Sequence, residues 1–201
     1  MTNIRPLQPE DCQFIASLHL QNLRTNFSGR PGLELLRLYY QSLVGAKGGC
    51  GFVAEQEGRI LGYVCGIWDP VNIHSFFIRK YGVGAVIWGI DQIIVSPKIL
   101  RSIKSRFLPM SNQAQDLKLD YELRPIVVSS EARGTGISVR LVEALVADAT
   151  ERGFLRIQLF TESDNIAAQK FYHKAGFCKV GTISRDGISY LQFAKELFYT
   201  R

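Results

Sequence analysis

The sequence has no cysteine pattern that would hold a metal. Its four cysteines, Cys12, Cys50, Cys65 and Cys178, are scattered, with no C-x-x-C pair and no matching His/Cys spacing; thiols kept reduced are the simplest reading. The opening residues, MTNIRPLQPEDC, hold no apolar run, so no secretory signal is expected there. Long hydrophobic runs are also missing. The most apolar stretch, Val83 to Val95, carries Asp91 and falls short of the roughly 20 residues a bilayer crossing needs. No transmembrane segment is expected, and a cytoplasmic location is. Repeats and low-complexity segments are absent. No Ser-His-Asp or Cys-His order stands out, which argues against a covalent enzyme intermediate. Neither a Gly-Lys-Ser/Thr phosphate loop nor a GxGxxG fingerprint is present.

What is present is an ordinary globular composition: 201 residues, 46% hydrophobic and 21% charged. That is enough for a single domain, residues 1–201, with a sizeable core. The net charge of +6 is unevenly placed. Between Trp68 and Phe107 lie Arg79, Lys80, Lys98, Arg101, Lys104 and Arg106 against Asp69 and Asp91. No nucleic-acid reading motif accompanies this charge, and no nucleic-acid partner is expected.

The most informative stretch is Ile126 to Arg140, IVVSSEARGTGISVR. A β-branched run (Ile126, Val127, Val128) stops at a polar turn. Arg133, Gly134, Thr135, Gly136, Ile137 and Ser138 follow, and then Ile137, Leu141, Leu145 and Ala149 recur at helical spacing. Gly153 is placed to end that helix in a left-handed conformation. The unit is strand, glycine-rich turn, helix. The first N–H groups of a helix lack intrahelical partners and lie at the positive end of its dipole, and glycines let a phosphate approach them. The turn suits a pyrophosphate.

A second stretch follows one strand later: Asn165, Ala168, Phe171, Tyr172, Gly176 and Phe177, in the pattern N-x-x-A-x-x-F-Y-x-x-x-G-F. Together the two segments resemble the GNAT superfamily of acyl-CoA N-acyltransferases. Arg133 to Ser138 resembles its Q/R-x-x-G-x-G/A acyl-CoA loop, with Ser138 where the family prefers Gly or Ala. The close resemblance covers roughly Tyr121 to Leu197, with weaker agreement from Ile4 to Cys65. It implies an α/β (α+β) GNAT fold: a central mixed, mostly antiparallel twisted sheet flanked by helices and splayed at the central strands. A helical insertion, about residues 69–120, would precede the central strand.

The resemblance also implies a chemistry. Acetyl-CoA is the expected co-substrate, with Gly134 to Ser138 holding the pyrophosphate and Arg133 orienting the turn or adding charge. The edge of Ile126, Val127 and Val128 would hydrogen-bond the pantetheine arm like an added strand. The N–H of Val128 or Val127 would face the thioester oxygen. Asn165 and Phe171 complete the cofactor-binding set. Tyr172 would protonate the leaving thiolate, since a phenol of reference pKa about 10 can donate to a thiolate of about 8.5. Glu122, six residues before Val128 on the same strand, is the candidate general base. A water chain is its alternative. His173 should point away from the Ala168/Tyr172 face. The expected reaction is direct attack of an amine in a ternary complex.

Elsewhere, Thr2 to Pro6 reads as a strand, and Phe14, Ile15 and Leu18 as one helical face. Ser28 to Gly32 reads as a loop, and Leu33 to Leu43 as a helix with Leu35, Leu36, Tyr39, Tyr40 and Leu43 on its apolar face. His19, Asn22, Arg24 and Asn26 lie near the join and read individually as a solvated helix end. Gly51 to Ala54 and Ile60 to Val64 form a hairpin; Leu155 to Phe160 is a strand; Phe177 to Ile183 and Ile188 to Lys195 form a closing hairpin. Residues 69–120 read as two or three helices, broken at Pro97, with a loop at Asn112 to Asp116. Their aromatics (Phe76, Phe77, Tyr81, Trp88, with Trp68 before them) and basic run would suit a small amine acceptor such as an amino sugar carrying a nucleotide diphosphate. The same residues serve equally well as a solvated basic face. A protein lysine or N-terminal acetyltransferase is the alternative, and a non-catalytic acyl-CoA-binding module a further one. Exposed closing strands and an apolar insertion are compatible with a homodimer.

Overall fold

The structure is a computed structural model that describes residues 1–23, 29–95, 121–185 and 187–197, with the side chains of the long helix after Asp69 described as far as residue 82. Seven strands form one sheet in the order β1-β2-β3-β4-β5-β7-β6. These are β1 (Asn3–Pro6), β2 (Gly49–Gln56), β3 (Arg59–Ile67), β4 (Tyr121–Val128), β5 (Arg156–Glu162), β6 (Cys178–Arg185) and β7 (Ile188–Glu196). Every pairing is antiparallel except β4 with β5.

Five helices are described: α1 (Cys12–Asn22), α2 (Gly29–Gly45), α3 (Pro70–Val95), α4 (Ile137–Glu151) and α5 (Ile166–Lys174). One core lies between α1, α2 and the β2–β3 side of the sheet, built from Ile15, Leu36, Tyr40, Leu43, Tyr63 and Cys65. The other lies under α4 and α5, around Leu141, Leu145, Ile157, Tyr172, Phe177 and Phe193.

Several elements differ from their sequence reading. In α1, Ile15 and Leu18 are buried but Phe14 is exposed; Ala16 and His19 complete the inward face instead. The helix α2 begins at Gly29 rather than Leu33, because Pro31 falls in the first turn, where its missing N–H costs nothing. The β2–β3 hairpin is longer than expected and turns at Glu57 and Gly58, both at positive φ (52° and 76°), the backbone a two-residue type I′ turn requires. Phe76 to Val95 lies within one helix, α3, which the reading of two or three helices over residues 69–120 allows. The proposed break at Pro97, the basic run from Lys98 to Arg106 and the loop at Asn112 to Asp116 lie outside the described residues, as do Arg24 and Asn26 and the side chain of Trp88. Among the described residues no helix is long and apolar enough to cross a membrane.

Candidate active site

β4 is irregular at its middle. Leu123 pairs with Gly66 and Ile126 with Val64, so Arg124 and Pro125 together stand opposite the single residue Cys65. This is a β-bulge, and Pro125 explains it: a proline cannot donate to a ladder, so inside a sheet it is confined to edges and bulges. On the other side, β4 and β5 share only two pairs, Tyr121 with Ile157 and Glu122 with Gln158. Beyond Glu122 the strands part, while β5 stays paired to β7 along its whole length. The result is a cleft in the sheet, with one edge of Leu123 to Val128 unpaired.

The register determines which N–H groups face that cleft. The N–H of Ser129 donates to the carbonyl of Leu61 at 2.8 Å. Antiparallel residues alternate between facing the partner strand and facing away. Val127, opposite Tyr63, therefore spends its N–H on β3, and Ile126 and Val128 turn theirs toward the cleft. Of the two donors considered from sequence, only Val128 has its N–H on the cleft side.

At the end of β4 the chain enters the glycine turn. Gly134 and Gly136 take φ of 79° and 85°, the left-handed region that favours glycine. A Cβ at either would meet nothing within 4 Å, so the requirement is conformational rather than steric. Thr135 Oγ1 ties the turn down by donating to the carbonyl of Ala132 at 2.7 Å. Among the described residues, none of the N–H groups from Gly134 to Ser138 donates to a main-chain carbonyl. These donors, with the start of α4 at Ile137, form a nest for an anion. A cavity of about 300 Å³ flanks the turn on its β1–β3 side, between Arg59, Leu61, Thr135, Ile137 and Arg140.

Arg133 does not fold back over its own turn. Its Nη2 donates to Asn22 Oδ1 at 2.7 Å, joining the turn to the end of α1. Asn165 caps α5, its Oδ1 accepting from the N–H of Ala168 at 3.1 Å, so that acceptor is occupied by the cap. Phe171 and Tyr172 follow on the same helix, and Gly176 ends it at φ 84°. Tyr172 is buried among Phe171, Phe177 and Phe193 at ring distances of 5.3, 6.0 and 6.2 Å. Burial pushes its phenol well above the usual tyrosine range. No hydrogen-bond partner for its hydroxyl is found among the described residues. His173 is exposed, its ring against Phe193.

Glu122 sits on β4 at the point where the strands part. Its Oε1 accepts from Arg124 Nε at 2.5 Å and its Oε2 from Arg124 Nη2 at 3.2 Å. The carboxylate was legible as a candidate; its partner was not, although opposite charges at i and i+2 on a strand share a face. Burial works against the charge of Arg124, but Glu122 outweighs it and holds the guanidinium above its ordinary range.

The sequence reading also missed two polar clusters. In the α1/α2 core, His19 Nδ1 lies 2.6 Å from the Tyr40 hydroxyl and 3.1 Å from that of Tyr63, and the two hydroxyls are 2.7 Å apart. His19 is fully enclosed rather than a solvated helix end, because three polar atoms satisfy one another there. Under the C-terminal end of α4, Asp148 accepts from the Tyr121 hydroxyl at 2.8 Å and from Arg152 Nε at 2.7 Å. Arg152 in turn lies over the Trp68 ring at 4.3 Å. Trp68 and Tyr121 are the residues on either side of the insertion, so this cluster clasps its two roots together.

Comparison with known proteins agrees with this geometry. Residues 112–177 match the model of the Acetyltransferase (GNAT) family. Over 60 residues the chain is 38% identical to N-alpha-acetyltransferase 30 of Schizosaccharomyces pombe, a stretch that is 30% of this chain and 40% of that protein. The crystal structure of an acetyltransferase superposes with a TM-score of 0.67 at 23% identity, covering 98% of this chain and 100% of that one. The ribosomal-protein-S18-alanine N-acetyltransferase from Escherichia coli superposes with a TM-score of 0.61 at 13% identity, covering 100% of this chain and 97% of that one. Residues 112–177 thus match the acetyltransferase (GNAT) family, and the chain as a whole has the fold of solved acetyltransferases.

Proposed function

We propose that this protein transfers an acetyl group from acetyl-CoA, the co-substrate that acetyltransferases of this family use, to a primary amine. The observation that carries the reading is the parting of β4 from β5, with the glycine turn at the end of the freed edge. An extended pantetheine arm adds to that edge as a strand would, and the pyrophosphate takes the N–H groups of Gly134 to Ser138. In this reading Ile126 and Val128 bond the arm, Ser138 stays small enough to keep the approach open, and Phe171 and Asn165 line the far side.

In the reaction the acceptor ammonium gives a proton to Glu122. The neutral nitrogen attacks the thioester carbonyl carbon; the C–N bond forms and the C–S bond breaks. The Val128 N–H supports the oxygen while it carries charge. The departing thiolate takes the proton of Tyr172, which is restored by the second proton leaving the nitrogen. The balance is ammonium plus acetyl-CoA to amide, CoA thiol and one released proton. Proximity in a ternary complex supplies much of the acceleration.

Two acceptor classes are compared. The small-amine reading draws on the aromatic and basic insertion, whose basic run lies outside the described residues. A peptide α-amine is supported by the printed activities of the relatives, an N-alpha-acetyltransferase and a ribosomal-protein-alanine N-acetyltransferase. CoA release from acetyl-CoA across nucleotide amino sugars, aminoglycosides, polyamines, amino acids, and peptides with free N-termini or lysines separates them. One responding class names the acceptor. Failure of acetyl-CoA to raise the melting temperature would remove the pyrophosphate argument.

A further inference from the structure

At the apex of the cleft Glu122 stands beside Gln158, its partner in the last β4–β5 pair, one strand spacing away, about 4.8 Å. Gln158 is itself paired across the next strand boundary: Gln192 Nε2 on β7 donates to Gln158 Oε1 at 2.9 Å. Tyr121, Leu123, Ile157, Leu159, Leu191 and Phe193 point into the core under α4 and α5. On alternating strands Glu122, Gln158 and Gln192 therefore all point to the opposite face. There α1 and α2 lie over β2, β3 and β4. The two glutamines, on β5 and β7, stand to the side of that cover and are half-buried.

The pair has hydrogen-bonding capacity to spare. A glutamine amide carries two N–H donors and a carbonyl acceptor. Their mutual bond uses one N–H of Gln192 and the carbonyl of Gln158. Among the described residues neither amide has a further partner, so the Gln158 NH2 group and the Gln192 carbonyl are left to face the cleft side. Moving outward from β4, the groups on this face run carboxylate, amide donor, amide acceptor. The start of a peptide runs ammonium, carbonyl, N–H, and so offers the complement of each group in the same order. A lysine ε-amine, four methylenes from its nearest amide, does not.

Resting on the acetyl-transfer reading above, we propose that the acceptor is a peptide α-amine and that Gln158 and Gln192 determine this specificity by reading its first peptide bond. The carbonyl of that bond accepts from Gln158 while the ammonium lies at Glu122. The N–H of the same bond donates to Gln192. The bond between the two glutamines sets the spacing of donor and acceptor.

Four amines test this: alanyl-glycinamide, its ester counterpart alanyl-glycolamide, Nα-acetyl-lysinamide and glucosamine. The ester keeps the size and the carbonyl of the peptide and lacks only the N–H. For the full chain, kcat and KM are measured on each, with Gln158→Met and Gln192→Met beside the natural protein. A melting-temperature rise with acetyl-CoA confirms that each variant is folded. The natural protein should favour the peptide over the ester by about tenfold in kcat/KM, the scale of one hydrogen bond, and should use the other two amines poorly. Gln192→Met should erase that preference by lowering kcat/KM for the peptide alone. Gln158→Met should raise KM for peptide and ester alike, because both present the carbonyl. Equal use of peptide and ester, or a Gln192→Met loss that falls equally on both, overturns the proposal and leaves acetyl transfer intact. Turnover of the lysine or amino-sugar probe in preference to the peptide does the same. Silence on all four amines, with every variant folded, overturns both.

Discussion

Replacing Tyr172 by phenylalanine should cost activity and leave stability nearly unchanged. The ring is packed against Phe171, Phe177 and Phe193 and is retained in the variant. Only the hydroxyl is lost, and it has no hydrogen-bond partner among the described residues. Among the described residues the side-chain polar atom sealed without a partner is Ser129 Oγ, not the Tyr172 hydroxyl, so losing that hydroxyl relieves no buried unsatisfied group. Removing it should therefore shift the melting temperature by no more than about 2 °C, the scale of roughly 0.5 kcal/mol in a chain of this size. Turnover should fall by about 10²–10⁴-fold, the usual contribution of a positioned proton donor, with the KM for acetyl-CoA little changed. Burial pushes the phenol up, so it stays protonated through neutral pH and should impose no basic limb on the rate profile there. Scanning calorimetry with and without acetyl-CoA, and CoA release under saturating acceptor, measure the two effects. A melting temperature that drops by several degrees would show that the hydroxyl is bonded in the folded state. A kcat within threefold of the natural protein would remove Tyr172 as the acid.

Other consequences are accessible to simple experiments. Gly136→Ala should cost about 1–2 kcal/mol from the left-handed backbone alone, seen as a modest melting-temperature loss. Its acetyl-CoA affinity, read by calorimetry, should fall much further, because the new Cβ stands on the phosphate nest. Burial tends to raise the Asp148 carboxyl, but hydrogen bonds from Arg152 and Tyr121 outweigh it and hold it below the usual range. A carboxyl depressed in the folded state contributes stability above its unfolded value of about 3.9 and loses it as pH falls further. Acid unfolding followed by circular dichroism should accordingly be shallower in Asp148→Asn, though from a less stable starting point. The thiols of Cys12 and Cys50 are each pushed up to about 12 by burial, while Cys178 is exposed. Brief alkylation at neutral pH, read by mass spectrometry, should modify Cys178 and spare Cys12, Cys50 and Cys65.

Much of the site was readable because it is built from neighbours in the chain. A β-branched run followed by two glycines and a helical period specifies β4, its turn and α4 by local chemistry, and both glycines take the positive φ that only a residue without Cβ adopts freely. Asn165 caps α5, and Ile157 and Leu159 alternate inward on β5, for equally local reasons. One signal was present but unused: Pro125 in the middle of a central strand requires a bulge. Phe14 was misplaced because a helical period locates a face but does not say how far the covering layer extends.

The features that make the site chemical come from residues far apart in sequence. Arg133 reaches Asn22 across 111 positions, and His19 is enclosed because Tyr40 and Tyr63, from a different helix and from β3, converge on it. That the central strands part was expected from the family resemblance; that β4 and β5 do so after only two pairs follows from which strands meet and from a bulge that turns β4 aside. Periodicity decides which face of an element is apolar, because backbone geometry is local. Which polar groups end up satisfied, ion-paired or left facing a cleft depends on the meeting of distant segments, and there the tertiary structure alone decides.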